Sequence, residues 1–417
     1  MKILYLNPDP GIPILGDKGA SVHVREFVTA VSQQGHEVAL VCASLGEGNA
    51  PPPATLVNVP LGSNDACLEQ ECVAQGLPLS SLEDRVLRRE LGWLCHDRGF
   101  FARTRAALDD IEFRPDVIYE RYSLFHFAGV ALARALSVPR LLEVNAPLIH
   151  EQEQFRGLVL KFNAELTEKL SYENADSIIA VSDEVAAYVV SRGVRRENVL
   201  TIPNGVDISR FCLDHGGEGI RRKFDLGADP VVGFIGSFKP WHGVGFLIKA
   251  FAVMARRHSG VRLLCVGDGP ELEMVRAEIG KLGLQGRVIV TGRVPHAAIP
   301  LHLAAMDMSA APYLPSQGFY FSPLKVVESL AAGVPVIAAR IGQLEHLVDD
   351  GRTGVLFTPG DEADFIAKTL ELVRDPTRRE AMSMAARQRA TLDFSWQQAT
   401  QRIIGEAKRL IALRCAA

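Results

Sequence analysis

Short apolar runs of strand length alternate with segments of helical periodicity along the whole chain, and that alternation leaves few folds open. In the first half the strand candidates are Ile3–Leu6, Val38–Cys42, Val117–Glu120, Arg140–Val144, Ser177–Val181 and Val199–Ile202. Between the first two, a Pro- and Gly-rich loop from Asn7 to Gly19 opens a helix. Its apolar face is Val24, Phe27, Val28 and Val31, and Gly35 closes it. The second half restarts the pattern with Val231–Ile235, Val261–Val266, Val288–Val290, Met308–Ala311, Val334–Ala338 and Gly354–Phe357. One of its helices carries Leu272, Val275, Ile279 and Leu282 at helical spacing. The 417 residues exceed one core and suit two domains. The pattern therefore predicts an α/β protein of two doubly wound domains facing a cleft, with a seam in the charged, Gly-rich stretch Pro203 to Asp229. No internal sequence repeat accompanies the two halves. In such sheets ligands bind beyond the carboxyl ends of the strands, so the chemistry is sought in the loops that follow them.

A net charge of −4 leaves no electrostatic footprint for nucleic acid. The seven cysteines lack a CxxC pair or ligand spacing, which suggests reduced thiols in a cytoplasmic protein. Met1-Lys2 runs straight into the first strand and reads as no signal peptide. The most apolar stretch, Phe125 to Leu142, is interrupted by Arg134 and Arg140 and broken at Pro139, so it is no membrane span. Residues 81–108 are different: Arg85, Arg88, Arg89, Arg98, Arg103 and Arg105 are interleaved with Val86, Leu87, Leu91, Trp93, Leu94, Phe100 and Phe101. Such a segment is either a peripheral contact with an anionic membrane face or an ordinary helix with a solvated basic side.

The most informative motif runs from Phe319 to Gly333. Ser322 suits an N-cap, Pro323 the first helical position, and Gly333 the position just past a short helix. Lys325 and Glu328, three apart, share a face near the positive N-terminus. A phosphate acceptor, a cation and a carboxylate for sugar hydroxyls converge there.

This stretch resembles the donor-sugar helix of the retaining, nucleotide-sugar-dependent glycosyltransferases of family 4. Further pieces follow in that family's order. Gly16-Asp17-Lys18-Gly19-Ala20-Ser21-Val22-His23-Val24, ending in Gly35-His36-Glu37-Val38, is similar to its glycine-rich first loop and helix. Ala175 to Ser182, then Ile202-Pro203-Asn204-Gly205-Val206-Asp207 and Phe211, resemble its exit from the first domain. Phe394-Ser395-Trp396 resembles its C-terminal signature. The resemblance implies the GT-B fold: a Rossmann-like acceptor domain over 1–207, a Rossmann-like donor domain over 208–393, and a last helix, 394–417, returning to the first domain. A nicotinamide or flavin enzyme is disfavoured, because Leu272 stands where the third glycine after Gly267 and Gly269 is needed.

Three departures from the family fall on its binding positions. Ser237 and His242 stand where it carries Arg and Lys in the loop Gly236 to Gly243, so Lys239 and Lys325 are left to balance a diphosphate. His242 either serves as a protonated cation or stays neutral beside Trp241. Tyr320 replaces the first carboxylate of the family's Glu-x7-Glu pair, whose second member, Glu328, holds the ribose. Asn145 stands where many members have a histidine for the donor sugar, with Glu143 expected on the opposite side. Glu120 and Arg121 are expected at the cleft on the acceptor side with Glu143, or else paired with each other.

The resemblance assigns the remaining roles. Gly19 lets backbone N–H groups approach the diphosphate, helped by those near Leu324 after Ser322 and Pro323. Gly267-Asp268-Gly269 lies below the base, and Arg293 and Val294 hold it. Catalytic roles fall to Lys239, Lys325, Asn145 and His242. The resemblance implies retaining hexosyl or N-acetylhexosaminyl transfer from a nucleotide-diphosphate sugar such as a UDP-sugar; no Asp-x-Asp motif occurs, so that transfer is expected to be metal-independent, with no cofactor. The acceptor reads first as a cell-surface glycan or lipid-linked sugar, second as a soluble small molecule. A non-catalytic nucleotide-sugar-binding subunit is the reading from a different class.

Overall fold

The computed structural model describes residues 1–62, 64–211, 216–315 and 322–416. Phe319, Tyr320, Phe321 and Cys212 therefore lie outside the described residues. The chain divides into two compact units, Met1–Pro203 with Ala399–Ala417, and Asn204–Gln398.

The first unit holds a seven-stranded sheet of β1 (Lys2–Asn7), β2 (Glu37–Cys42), β3 (Thr55–Asn58), β4 (Val117–Arg121), β5 (Arg140–Val144), β6 (Ser177–Ala180) and β7 (Val199–Thr201). Their order is β3-β2-β1-β4-β5-β6-β7, and every pairing is parallel. Strands sandwiched between helix layers have both faces buried, which is why β4 and β5 are buried at every position. The helix Gly19–Gln33 buries Val24, Phe27, Val28 and Val31, and Gly35 follows it at φ 80°. Among the described residues, β3 is the one strand not expected from the sequence. It has four residues and follows Pro51-Pro52-Pro53, and as an edge strand it needs hydrogen bonds on one side alone.

The second unit holds a six-stranded parallel sheet: β8 (Val231–Ile235), β9 (Arg262–Val266), β10 (Val288–Val290), β11 (Met308–Ala311), β12 (Val336–Ala339) and β13 (Gly354–Phe357), in the order β10-β9-β8-β11-β12-β13. One large apolar core covers both of its faces. The strand order reverses between β1 and β4 in the first unit and between β8 and β11 in the second. These are the switch points where loops part and leave room for a ligand.

Two signature segments meet in the second unit. The Val206 N–H donates to the Phe394 carbonyl at 2.8 Å, and the Trp396 N–H to the Val206 carbonyl at 3.1 Å. A side chain at Gly205 would sit 2.6 Å from the Trp396 ring, so glycine is required there. From Ala399 the final helix, Trp396–Ala416, belongs to the first unit. Arg402 donates to the Thr201 carbonyl at 3.0 Å, and Arg414 pairs with Asp176 at 3.0 Å. The units thus part after Pro203 and after Gln398, where the sequence suggests 207 and 393.

Residues 81–108 fall mostly in one 26-residue helix, Arg85–Asp110. Leu87, Leu91 and Phe100 are buried in the unit's cores, and Trp93 packs against one of them. Arg88 pairs with Asp65 at 2.5 Å, Arg98 with Glu71 at 2.8 Å, and Arg89 stacks on Trp93. Leu87, Leu91 and Phe100 thus face the interior, while Val86, Leu94 and Phe101 stay partly exposed. Among the described residues no helix is long and apolar enough to cross a membrane.

Candidate functional site

In the second unit the loop Gly236 to Gly243 joins β8 to the helix Val244–Arg257. A second loop, Gly267-Asp268-Gly269, is zipped onto it. The Phe238 N–H donates to the Asp268 carbonyl at 2.8 Å, and the Glu271 N–H to the Phe238 carbonyl at 3.0 Å. Gly267 and Gly269 permit that approach: a Cβ on Gly269 would lie 2.6 Å from the Phe238 nitrogen.

Lys325 reaches this loop from the other side of the switch point. Its stem is partly exposed, but its Nζ is buried and has no hydrogen-bond partner among the described residues. That Nζ lies 4.4 Å from the ring centroids of both Phe234 and Tyr313, and 3.5 Å from where a Cβ on Gly236 would stand. Burial pushes its pKa down to about 7. An ammonium held by two ring faces, with no anion beside it among the described residues, is a cation still lacking its counter-charge.

His242 shares the pocket and is neutral. Burial, then the charge of Lys325, push its pKa down to about 3. Its Nδ1 lies 2.5 Å from the Ser237 carbonyl, a contact that requires Nδ1–H as donor. The protonated His242 considered from the sequence is thus replaced by a neutral ring whose N–H is already committed. Lys239 is exposed, with Nζ 5.0 Å over Trp241, so of the two candidate lysines only Lys325 is buried at the loop.

The helix bearing Lys325 is Leu324–Ala331. The Gly333 N–H donates to Leu330 at 3.0 Å and the Val334 N–H to Ser329 at 2.8 Å, a Schellman closure that uses the positive φ of Gly333. At the start the expectation needs correction. Pro323, in an extended conformation at ψ 101°, occupies the N-cap position and not the first turn, and among the described residues no side chain caps the helix. Ser322 is engaged elsewhere: its carbonyl accepts from the Asn204 amide at 3.2 Å.

Glu328 is 8% exposed, and its Oε1 lies 2.7 Å from His296 Nε2. Arg210 approaches the other ring nitrogen, Nδ1, at 3.2 Å. An arginine only donates, so Nδ1 accepts and Nε2 carries the proton that Glu328 receives. Neither His296 nor Arg210 is foreseen from the sequence, because both belong to connecting segments without periodic signal. Beside them Arg293 is exposed, Val294 is half-buried against the core, and the Gly292 carbonyl accepts from Gly267 at 3.0 Å.

In the first unit strand alternation sorts the acidic residues into two networks. Glu143 faces the helix Gly19–Gln33. It accepts from His23 at 2.7 Å, Tyr119 at 2.9 Å, Arg121 at 3.1 Å and Asn145 at 2.9 Å. Burial alone would raise its pKa, but His23, Arg121 and Asn145 outweigh burial and hold it at about 2. Asn145 is two residues on and therefore lies on the same side as Glu143, not the opposite one. Its amide nitrogen faces the carboxylate, which leaves the oxygen to accept from a hydroxyl.

Glu120 points to the other face, into a buried pair with Arg140, with His126 Nε2 at 3.8 Å. Glu120 and Arg121 thus pair with different partners, not with each other, and Glu120, 1% exposed, is enclosed, not presented to a substrate. Gly19 is exposed at the first position of its helix, which has no side-chain cap and no acidic residue in its first turn, so its leading N–H groups suit an anion. Among the described residues no group of three or more His, Cys, Asp or Glu is arranged to hold a metal ion.

Both units match known sequence families. Residues 18–205 match the glycosyl transferase 4-like domain, and residues 229–375 match glycosyl transferases group 1. The GDP-mannose-dependent alpha-(1-6)-phosphatidylinositol monomannoside mannosyltransferase of Mycolicibacterium smegmatis is 34% identical over 201 residues, 47% of this chain. The match spans about half, 52%, of that relative's length. The D-inositol 3-phosphate glycosyltransferase of Segniliparus rotundus is 27% identical over 95% of this chain and 86% of its own length. In fold, the Anabaena Alr3699/HepE protein, crystallised in complex with UDP, superposes with a TM-score of 0.71 at 21% identity, covering 98% of this chain and 100% of that one. Two parallel doubly wound units, each matched by its own glycosyltransferase domain, leave one conclusion: the chain belongs to the GT-B glycosyltransferases of family 4.

Proposed function

We propose that the chain transfers a hexosyl or N-acetylhexosaminyl group from a nucleoside-diphosphate sugar to an acceptor hydroxyl, with retention and without a metal ion. The observation that carries this reading is Lys325 Nζ, buried and without a hydrogen-bond partner among the described residues at the mouth of the β8 loop. It supplies the charge that Ser237 and His242 do not. A diphosphate placed there also meets the start of the Leu324–Ala331 helix, which no side chain among the described residues caps.

In the proposed step the bond from the sugar's anomeric carbon to the diphosphate oxygen breaks. A bond from that carbon to the acceptor oxygen forms on the same face. The acceptor proton passes to the departing phosphate oxygen, so no protein nucleophile enters. Lys325 stabilises the negative charge that grows on the diphosphate. Glu328 is the acceptor for the ribose hydroxyls.

The acceptor is proposed to be a polyol hydroxyl on a lipid-linked or soluble molecule. The two relatives' names point to both kinds: one names phosphatidylinositol monomannoside, the other D-inositol 3-phosphate. Incubation with UDP-glucose, UDP-N-acetylglucosamine and GDP-mannose in EDTA, with each acceptor class in turn, tests the proposal. A product whose anomeric proton NMR matches the donor's configuration supports it. An inverted product, or transfer only with added Mg²⁺ or Mn²⁺, contradicts it.

A further inference from the structure

The Arg210–His296–Glu328 chain has a direction. Arg210 donates to His296 Nδ1 at 3.2 Å, and His296 Nε2–H donates to Glu328 Oε1 at 2.7 Å. The three residues come from separate places: the entry to the second unit, the turn after β10, and the helix after β11. A glutamate side chain has three free torsions, and a hydroxyl pair discriminates only if the carboxylate meets it in one orientation. His296 holds one oxygen of Glu328, and Arg210 fixes the tautomer that lets it do so. His296 also lies two residues beyond Val294, so base segment and carboxylate are tied together.

We infer that His296 is a positioning residue that gives this site its selectivity for a ribose diol, holding Glu328 in a single orientation through a tautomer set by Arg210. The inference rests on the reading that Glu328 receives the ribose.

The test compares dissociation constants for UDP and GDP with those of their 2′-deoxy and 3′-deoxy forms, using the tighter nucleotide. The wild type is expected to prefer the ribonucleotide by about tenfold or more. His296→Phe, which keeps the bulk and loses both hydrogen bonds, is expected to cut that preference at least about fivefold. His296→Gln, which retains a donor near Nε2, is expected to stay within about twofold of wild type. Arg210→Met leaves His296 and Glu328 in place and should fall between them. A ribose preference unchanged in both His296→Phe and Arg210→Met would overturn the inference. A preference unchanged in Glu328→Ala, or absent from the wild type, would instead overturn the reading beneath it.

Discussion

The Nζ of Lys325 stands 4.4 Å from the Tyr313 ring, on the far side of a strand switch point from the loop it serves. The cation reaches the β8 loop from a different element than the Arg and Lys that the family resemblance leads one to expect there.

On the proposed role of Lys325, nucleotide binding should be pH-dependent. With its pKa at about 7, Lys325 is largely neutral in the free protein at pH 8, while a bound diphosphate favours the charged form. Binding at pH 8 should therefore take up close to one proton, seen as a dependence of calorimetric enthalpy on buffer ionisation heat. Affinity should fall as pH rises above 7. Lys325→Met should show neither effect.

The same group tilts stability. A base whose folded pKa lies below its unfolded value of about 10.5 destabilises the folded state wherever both forms would be protonated. The penalty is full below pH 7 and is relieved as pH rises from 7 towards 10.5. Across that window the wild type should gain about 1.4 kcal/mol per pH unit relative to Lys325→Met in urea titrations. A flat difference would place Nζ in solvent.

Glu143 has the opposite sign. Held at about 2 against an ordinary 4.5, it contributes stability that is present above pH 4.5 and lost as pH falls through 2. Glu143→Gln should cost about 3–5 kcal/mol at pH 7, because it leaves Arg121 and His23 facing a neutral amide. The gap to wild type should close in acid, as chemical denaturation between pH 2 and 6 would record.

Glu120 should behave as a structural residue. Glu120→Gln unpairs the fully buried Arg140 and should lower stability by about 3–5 kcal/mol. In protein that remains folded, the acceptor KM should stay within about twofold. A selective rise in acceptor KM without loss of stability would return Glu120 to the acceptor side.

Much of the architecture was legible because parallel buried strands announce themselves as apolar runs. β3 was not, since an edge strand of four residues after three prolines carries little of that signal. Lys325, Glu328 and Gly333 were readable from helix spacing. The partners of the charged residues were not. Arg121 and Glu143 are opposite each other across β4 and β5, and Glu120 and Arg140 lie diagonally on the other face. Strand order and register are needed before either pairing can be seen. His23 meets Glu143 from 120 positions away, a contact no local pattern encodes.

Lys325 is proposed to hold the donor diphosphate. Titrating UDP, GDP and ADP into wild type, Lys325→Met and Lys239→Met in EDTA isolates that contact. One nucleotide should bind the wild type without metal, bind Lys325→Met about tenfold or more weakly, and bind Lys239→Met within about threefold of wild type. Equal affinity for wild type and Lys325→Met, or no nucleotide binding to the wild type at all, would contradict that role.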